Sequence, residues 1–403
     1  MSYLRKAMQL ILRIIVFPVV VFLFLIKRWL VIELVLPNVT LFGHLALEPE
    51  KILSKRNRHD SDRSDTSNSQ SPKKVLVWSF AKPKSQVNKS LVRLWRRELL
   101  VLPSAIVSAM HQTSKWLPKF EIKILQFDKL HENDHVLDSC SSHLRFSAEE
   151  LRIGADYLKR VGIKPGVPYV CLIVRESAWA PETTGPMSSG TLRSRSFEDF
   201  IPAAEALLSM GLHVIKLGAP GTFAPTGTQI IDYANSSDKS EFLDVYLPSH
   251  ALCAVSTMSG PDAVSLASRV PVLYIDIAQY SLCFAGTKLV TWVPALLSSE
   301  KLGRVLSLTE VFESGAGRFL GADVFVEAGI SIINSSPHEI KEHAVSFCKS
   351  ILGKTSPEYV EFQRKYQNKF RELLSLNSVS TLGSFESKLS ETFLQKHGEK
   401  FLS

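Results

Sequence analysis

Four places in the sequence put reactive or anion-binding side chains where a fold could use them. The densest is Ser256-Thr257-Met258-Ser259-Gly260-Pro261-Asp262. It closes an apolar run, Leu252 to Ser256, and opens a helical pattern, Pro261 to Ser268, with the proline suited to a first turn. Exposed N–H groups and the positive end of a helix dipole would favour an anion such as a diphosphate there. Gly260 would permit close backbone approach, and Ser256, Thr257 and Ser259 would offer hydroxyls. The plainer reading is a capping box made by Ser259 and Asp262, with no ligand at all.

The other three places are single residues at predicted strand ends. Arg175 follows the uninterrupted apolar run Tyr169 to Val174 and precedes Glu176. An arginine there is either the solvated end of the strand or a clamp for phosphate. The stretch Ala180 to Arg195 that follows is rich in Gly, Pro and Ser and carries Arg193 and Arg195; a connection that long is more often functional than structural. Asp232 comes after a third strand-like run, where an Asp bonds a ribose hydroxyl or satisfies its own turn. His44 sits in Thr40 to Glu50, which reads as a strand, a glycine turn and a helix start. It is a candidate general base toward an acceptor hydroxyl, or simply a helix-start histidine bonded to backbone.

What must position these residues is an alternation of strands and helices. Val75–Phe80, Leu99–Leu102 and Glu121–Phe127 are predicted strands; Lys89–Arg97, Ser104–Trp116 and the capped Ser147–Val161 are predicted helices. From Tyr169 the pattern becomes regular. Strands Tyr169–Val174, His213–Leu217, Gln229–Ile231, Leu252–Ser256 and Pro271–Ile275 alternate with helices Phe197–Met210, Ser240–Leu247 and Pro261–Ser268. Strands apolar on both faces and joined through helices imply parallel sheets covered on both sides. The expected organisation is a hydrophobic anchor over 1–36 and a doubly wound domain over 37–145 with a flexible loop at 56–74. A second doubly wound domain follows over 146–355, and helices over 356–403 pack back across the domains. In such sheets ligands bind at the carboxyl ends of the strands, where the four places fall.

Composition narrows the function. The chain has 403 residues and a net charge of +8, but residues 1–100 carry +11 and the remainder −3. A basic front on a near-neutral body argues against nucleic-acid binding and for an anionic membrane surface. Met8 to Ile26 is apolar except for Gln9 and Arg13 and is flanked by Arg5-Lys6 and Lys27-Arg28. As a helix it is about 28 Å long, enough for the hydrocarbon core. Arg13 and Pro18 leave open a tilted or interfacial helix. The five cysteines show neither finger spacing nor a disulfide framework. Asp60-Ser61-Asp62 imitates a metal-binding Asp-x-Asp, but a run without apolar neighbours cannot hold ligands in place, so metal independence is expected. No phosphate-loop, dinucleotide, zinc-protease or serine-hydrolase motif is present.

Several blocks together resemble a group of bacterial glycosyltransferases of surface-polysaccharide loci. They are Phe42 to Glu50, Phe146 to Ser177, Leu192-Arg193-Ser194, Leu217-Gly218-Ala219, Asp232-Tyr233-Ala234, Ser240 to Leu247, Ser256 to Asp262, Gly329-Ile330 and Asn334 to Ile340. The resemblance covers most of the chain beyond the anchor. It implies GT-B architecture, an α/β fold of two Rossmann-like domains, with a nucleotide sugar as co-substrate, no separate cofactor, and the donor held mainly by the second domain. It also implies a distant similarity to fucosyltransferases in which an arginine after a strand meets the donor diphosphate, the place of Arg175. On this reading Arg175 and Arg193 meet the diphosphate, and Gly218, Asp232, Ser256, Thr257, Ser259, Gly260 and Asp262 line the donor site. The acceptor is a glycan or lipid-linked saccharide, and the reaction inverts at the sugar. The globular part lies on the cytoplasmic face of the cytoplasmic membrane. The sequence departs from the group's pattern at Ile173 (usually His), Glu176 (usually Asp) and Leu192-Arg193-Ser194 (usually Tyr-Arg-Asn). Those departures motivate an alternative, a catalytically silent scaffold that binds nucleotide or glycan.

Overall fold

The computed structural model describes residues 2–36, 41–64, 72–80, 88–125, 134–176, 191–282, 286–353, 357–376 and 386–403. The chain divides into two compact units, Met1–Leu130 with His143–Arg145, and His131–Ser142 with Phe146–Ser403. Both are mixed α/β units built on parallel sheets.

The first unit begins with helix α1 (Ser2–Ile26) and strand β1 (Leu30–Val35). Then come α2 (Phe42–Ser64), β2 (Lys73–Trp78), α3 (Lys89–Glu98), β3 (Leu100–Val101), α4 (Ser104–Ser114) and β4 (Ile124–Leu125). The strand order is β3-β2-β1-β4, all parallel. Two expectations are corrected here. The segment 1–36 is not only an anchor, because Leu30–Val35 is a central strand of this sheet. Its alternation was hidden by the long apolar run before it. The expected loop at 56–74 is helical through Ser64, since α2 continues past the last apolar position. Residues 65–71 lie outside the described residues, and Lys73 and Lys74 already belong to β2. Asn88 caps α3 by accepting the N–H of Leu91 at 2.8 Å, and Trp95 anchors that helix by donating its indole N–H to the Leu45 carbonyl.

The second unit opens with α5 (Ala148–Arg160), whose capping box of Ser147 and Glu150 forms as the sequence implies. Its main sheet comprises β5 (Tyr169–Ile173), β6 (His213–Leu217), β7 (Ile231–Asp232), β8 (Cys253–Ser256), β9 (Val272–Ile277), β10 (Val290–Pro294) and β14 (Lys388–Leu389). The intervening helices include α6 (Ile201–Ser209), α7 (Leu243–His250) and α8 (Asp262–Ala267). The order is β14-β10-β9-β8-β5-β6-β7, parallel throughout. β5, β6, β8 and β9 are buried along almost their whole length, which explains why their sequences run apolar without alternation.

Beyond β10 the elements carry little local sequence signal. A small antiparallel sheet forms from β11 (Leu296–Ser299), β12 (Arg304–Val305) and β13 (Ile330–Ile333), with α9 (Leu308–Glu313) and α10 (Ala322–Glu327) between its strands. The tail, expected to pack back across the domains, is part of the second unit. After α11 (Pro337–Ile351) and α12 (Pro357–Leu376), strand β14 pairs with β10, and α13 (Glu391–Phe401) follows. An aromatic cluster fixes it: Trp292 donates to the Tyr366 hydroxyl at 2.8 Å and packs edge-on against Phe370, while Phe401 lies against Tyr280 and Phe393.

Candidate functional site

The order of the large sheet decides where a ligand belongs. From β5 the chain builds outward through β6 and β7 on one side, then returns to add β8, β9 and β10 on the other. Strand order therefore reverses between β5 and β8, and their connections leave in opposite directions, opening a crevice at their carboxyl ends. Two of the four places meet there. The Arg175 N–H donates to the Thr257 hydroxyl at 2.9 Å, and the Thr257 N–H donates to the Ile173 carbonyl at 3.2 Å.

The long connection after β5 comes back to the same point. Residues 177–190 lie outside the described residues, but Thr191–Arg193 forms a single helical turn and the Arg195 N–H donates to the Arg175 carbonyl at 2.9 Å. Arg193 Nη1 then donates to the Met258 carbonyl at 3.1 Å, whereas its buried Nε has no hydrogen bond among the described residues. Burial, and then the positive charge of Arg193, bring the pKa of Arg175 down to about 10. Burial also lowers that of Arg193, with Asp262 and Tyr274 opposing it. Two guanidinium groups thus repel one another at the switch point, an arrangement an anion would relieve.

The turn between them differs from the expected helix-dipole site. Helix α8 has six residues and begins at Asp262 itself. The Asp262 carboxylate accepts the Ser256 hydroxyl at 2.5 Å, the Ser259 N–H at 2.5 Å and the Tyr274 hydroxyl at 3.0 Å. Burial raises its pKa to about 6 against those hydrogen bonds. Ser256, Thr257 and Asp262 are therefore engaged in shaping the turn. The helix start already holds its own carboxylate, which would compete with a bound anion for the same N–H. The left-handed residue of the turn is Met258 (φ 61°). A side chain in that region costs about 1–2 kcal/mol and persists only when its surroundings hold it. Here the held atom is the carbonyl that receives Arg193.

Asp232 and Gly218 lie on the other side of β5 and serve a different arrangement. Asp232 Oδ2 accepts the Ala224 N–H at 2.9 Å and the Asn235 amide at 2.8 Å, and Oδ1 accepts the Asn235 N–H at 3.2 Å. This is the own-turn reading of Asp232. Glu176 accepts the Thr222 N–H at 3.2 Å, and buried Lys216 lies 3.6 Å from Glu176 and 4.0 Å from Asp232. Gly218 has φ 119° at the end of β6, and its carbonyl accepts Lys239. Lys216 was missed in the sequence, as was Asp276. Asp276 has φ 56° and is paired with Arg195 and bonded by the Ser335 N–H at 2.9 Å and hydroxyl at 2.7 Å. Both carried a signal: a charge inside a strand apolar on both faces must be paired.

In the first unit, His44 stands in the first turn of α2 and its Nδ1 lies 2.6 Å from Glu48 Oε1. Glu48 is 3% exposed, so its carboxylate fixes the ring and leaves Nε2 as the basic atom when Nδ1 carries the proton. A second pair, Glu50 with His143 at 3.0 Å, is buried two residues further along and ties 143–145 to this unit. Among the described residues no group of three or more His, Cys, Asp or Glu is placed to hold a metal ion.

No protein-family model matches the sequence, and no curated protein matches it. Among solved structures the chain is similar to a glycosyl transferase family 9 protein from Veillonella parvula, with a TM-score of 0.44 at 11% identity over 81% of this chain and 98% of that one. It is also similar to the E. coli ADP-heptose LPS heptosyltransferase II, with a TM-score of 0.37 at 12% identity over 65% of this chain and 90% of the other.

Proposed function

We propose that the chain is a membrane-associated glycosyltransferase that moves a hexosyl or deoxyhexosyl group from a nucleoside-diphosphate donor to a cell-surface glycan or lipid-linked acceptor. The observation that supports this most directly is the meeting of Arg175 and Arg193 at the point where strand order reverses. Breaking the bond from the anomeric carbon to the diphosphate oxygen leaves negative charge on that oxygen, and two preorganised guanidiniums stabilise it as it develops. They supply the charge that a divalent cation supplies elsewhere, which is the basis for proposing metal independence. The acceptor oxygen forms the new bond to the anomeric carbon from the opposite face, with inversion. A general base must take its proton, and His44, whose ring Glu48 orients, is the candidate that the sequence offers.

Screening nucleotide sugars for thermal stabilisation of the purified chain tests the donor class, since a ligand at a hundred times its dissociation constant adds about 2.7 kcal/mol. Arg175→Ala is expected to weaken the nucleotide sugar so identified; binding as tight as wild type would remove Arg175 from the site. One observation favours the alternative of a silent scaffold. Glu176, which replaces the aspartate of the resembled group, has its carboxylate committed to Thr222 and Lys216. Slow release of nucleoside diphosphate from the donor in water marks a transferase, and a scaffold releases none.

A further inference from the structure

From Leu10 onward helix α1 is apolar on both sides apart from Arg13, yet only one side of it is covered by protein. Val16, Val20 and Leu23 are buried in one core with Leu34, Val77, Val107 and Met110, and Leu12 and Ile26 pack at its margin. Phe17 and Phe24 extend that side, lying against Trp116 and Phe120 at centroid distances of 6.1 and 5.5 Å. At about 100° per residue these positions share one half of the helix. The other half presents Leu10, Ile11, Ile14, Ile15, Phe22 and Leu25, all exposed, with Ile15 at 64% and Phe22 at 58%. No polar side chain interrupts that half between Leu10 and Leu25. The surface helix of a water-soluble unit carries charge on its outer face, and this one does not.

We infer that α1 attaches the protein to an anionic bilayer side-on, with the half opposite Val16, Val20 and Leu23 immersed and the helix lying in the membrane plane. This extends the membrane part of the proposed function, and its test does not involve the nucleotide site.

The length of helix available decides against a span. Residues Leu12 to Ile26 are docked on the first unit, so only Met8 to Ile11 of the apolar stretch lies clear of it. That is about 6 Å of helix against the roughly 30 Å of a hydrocarbon core. Spanning would strip Val16, Val20 and Leu23 from the core they share with β1, β2 and α4. Side-on insertion leaves the core intact and covers the outer half. It also accounts for Arg13, which interrupts the apolar sequence but falls on the half that faces the protein, about 200° around from Ile11. Lys27 lies on that half too, 4.3 Å from the centre of the Phe24 ring. Basic residues at both ends of the stretch suit anionic headgroups, and Trp29, 69% exposed just after the helix, suits the interfacial level. A second protein copy would be met by a polar rim with hydrogen bonds, which this face lacks.

The test uses the full chain and vesicles of phosphatidylcholine with and without phosphatidylglycerol. Wild type is expected to float with the anionic vesicles. The variant Ile11→Gln/Ile15→Gln/Phe22→Gln/Leu25→Gln is expected to keep its thermal unfolding temperature, because none of the four is in the core, while its partitioning falls at least about a hundredfold. Nitroxides placed at Ile11, Ile15, Phe22 and Leu25 in turn should report one common depth. A depth that steps by about 1.5 Å per residue along the helix would show a span and overturn the proposal. So would flotation undiminished in the variant, or a wild type that forms dimers through this face and leaves the vesicles unbound.

Discussion

Replacing Arg193 by alanine separates the anion reading of the switch point from a merely structural one. Among the described residues Arg193 makes one hydrogen bond, Nη1 to the Met258 carbonyl, and its Nε makes none. Losing the Met258 bond costs about 1 kcal/mol, and removing a buried cation that repels Arg175 returns part of that. The folded protein should therefore change by no more than about 1 kcal/mol. The liganded protein should change much more. A charge-assisted hydrogen bond to phosphate is worth about 1.5–3 kcal/mol, so affinity for a nucleoside diphosphate should fall about 10- to 150-fold. Calorimetric titration with nucleoside, nucleoside monophosphate and nucleoside diphosphate of the base identified by screening measures it. The loss should be greatest for the diphosphate and absent for the nucleoside, and Arg193→Lys, which keeps charge but not the planar fork, should fall between. Equal loss across the three ligands, or a diphosphate dissociation constant within about twofold of wild type, would refute the assignment.

Gly154→Ala should destabilise the second unit although alanine normally gains about 1 kcal/mol over glycine in a helix. A Cβ there would stand 2.1 Å from the Tyr246 ring, which is itself stacked on His250 and edge-on to Phe146, so overpacking by about 1–3 kcal/mol wins and the calorimetric unfolding temperature falls. Lys216→Met leaves Glu176 and Asp232 facing each other half-buried and should cost about 3–5 kcal/mol by urea denaturation. Two buried groups should tilt the pH dependence of stability in opposite directions. Asp262, raised by burial from 3.8 to about 6, contributes stability below pH 3.8 that is lost as pH rises through 6, whereas His343, lowered by burial from 6.5 to about 4, contributes stability above 6.5 that is lost as pH falls through 4. Each contributes roughly 3 kcal/mol, so denaturation between pH 4 and 6.5 should show Asp262→Asn rising more steeply with pH than wild type and His343→Gln less steeply.

The parts of the fold legible in the sequence were those in which local pattern and tertiary environment agree. The strand Tyr169–Ile173 reads as a buried parallel strand because both its faces are covered, and Ser147 with Glu150 reads as a helix start because the box forms within one turn. Leu30–Val35 was lost because an apolar strand directly after an apolar helix leaves no change of composition to mark the boundary. The edge strands Arg304–Val305 and Lys388–Leu389 were lost because two residues carry no period, and they exist only through pairing with distant partners. Site residues followed the same rule. Arg175 could be placed just beyond a strand because that strand is a local pattern, but the role of Asp262 depended on Tyr274 and Ser256, and that of Asp232 on a loop ending at Asn235.

The charges at the carboxyl edge of the large sheet give the strongest reason to expect an anion there, and none of them does so alone. Arg175, Arg193, Arg195 and Lys216 are among the cationic side chains at these strand ends. Arg195 is committed to Asp276 and Asp199, and Lys216 to Glu176 and Asp232. Of the carboxylates, Asp262 is nearest in effect to Arg193, yet burial raises its pKa, and Ser256 and Ser259 of the turn and Tyr274 of β9 hold it. Among the described residues no hydrogen bond joins it to Arg193, whose own bond goes to the Met258 carbonyl. The protein has therefore matched the cations that position its loops and under-matched the cation that meets the left-handed carbonyl of Met258. A fold that only needed to be stable would gain by exchanging a buried arginine with an unbonded Nε for an apolar residue of similar volume. Arg193 is better explained by a partner that arrives with negative charge and hydrogen-bond acceptors, and a diphosphate brings both.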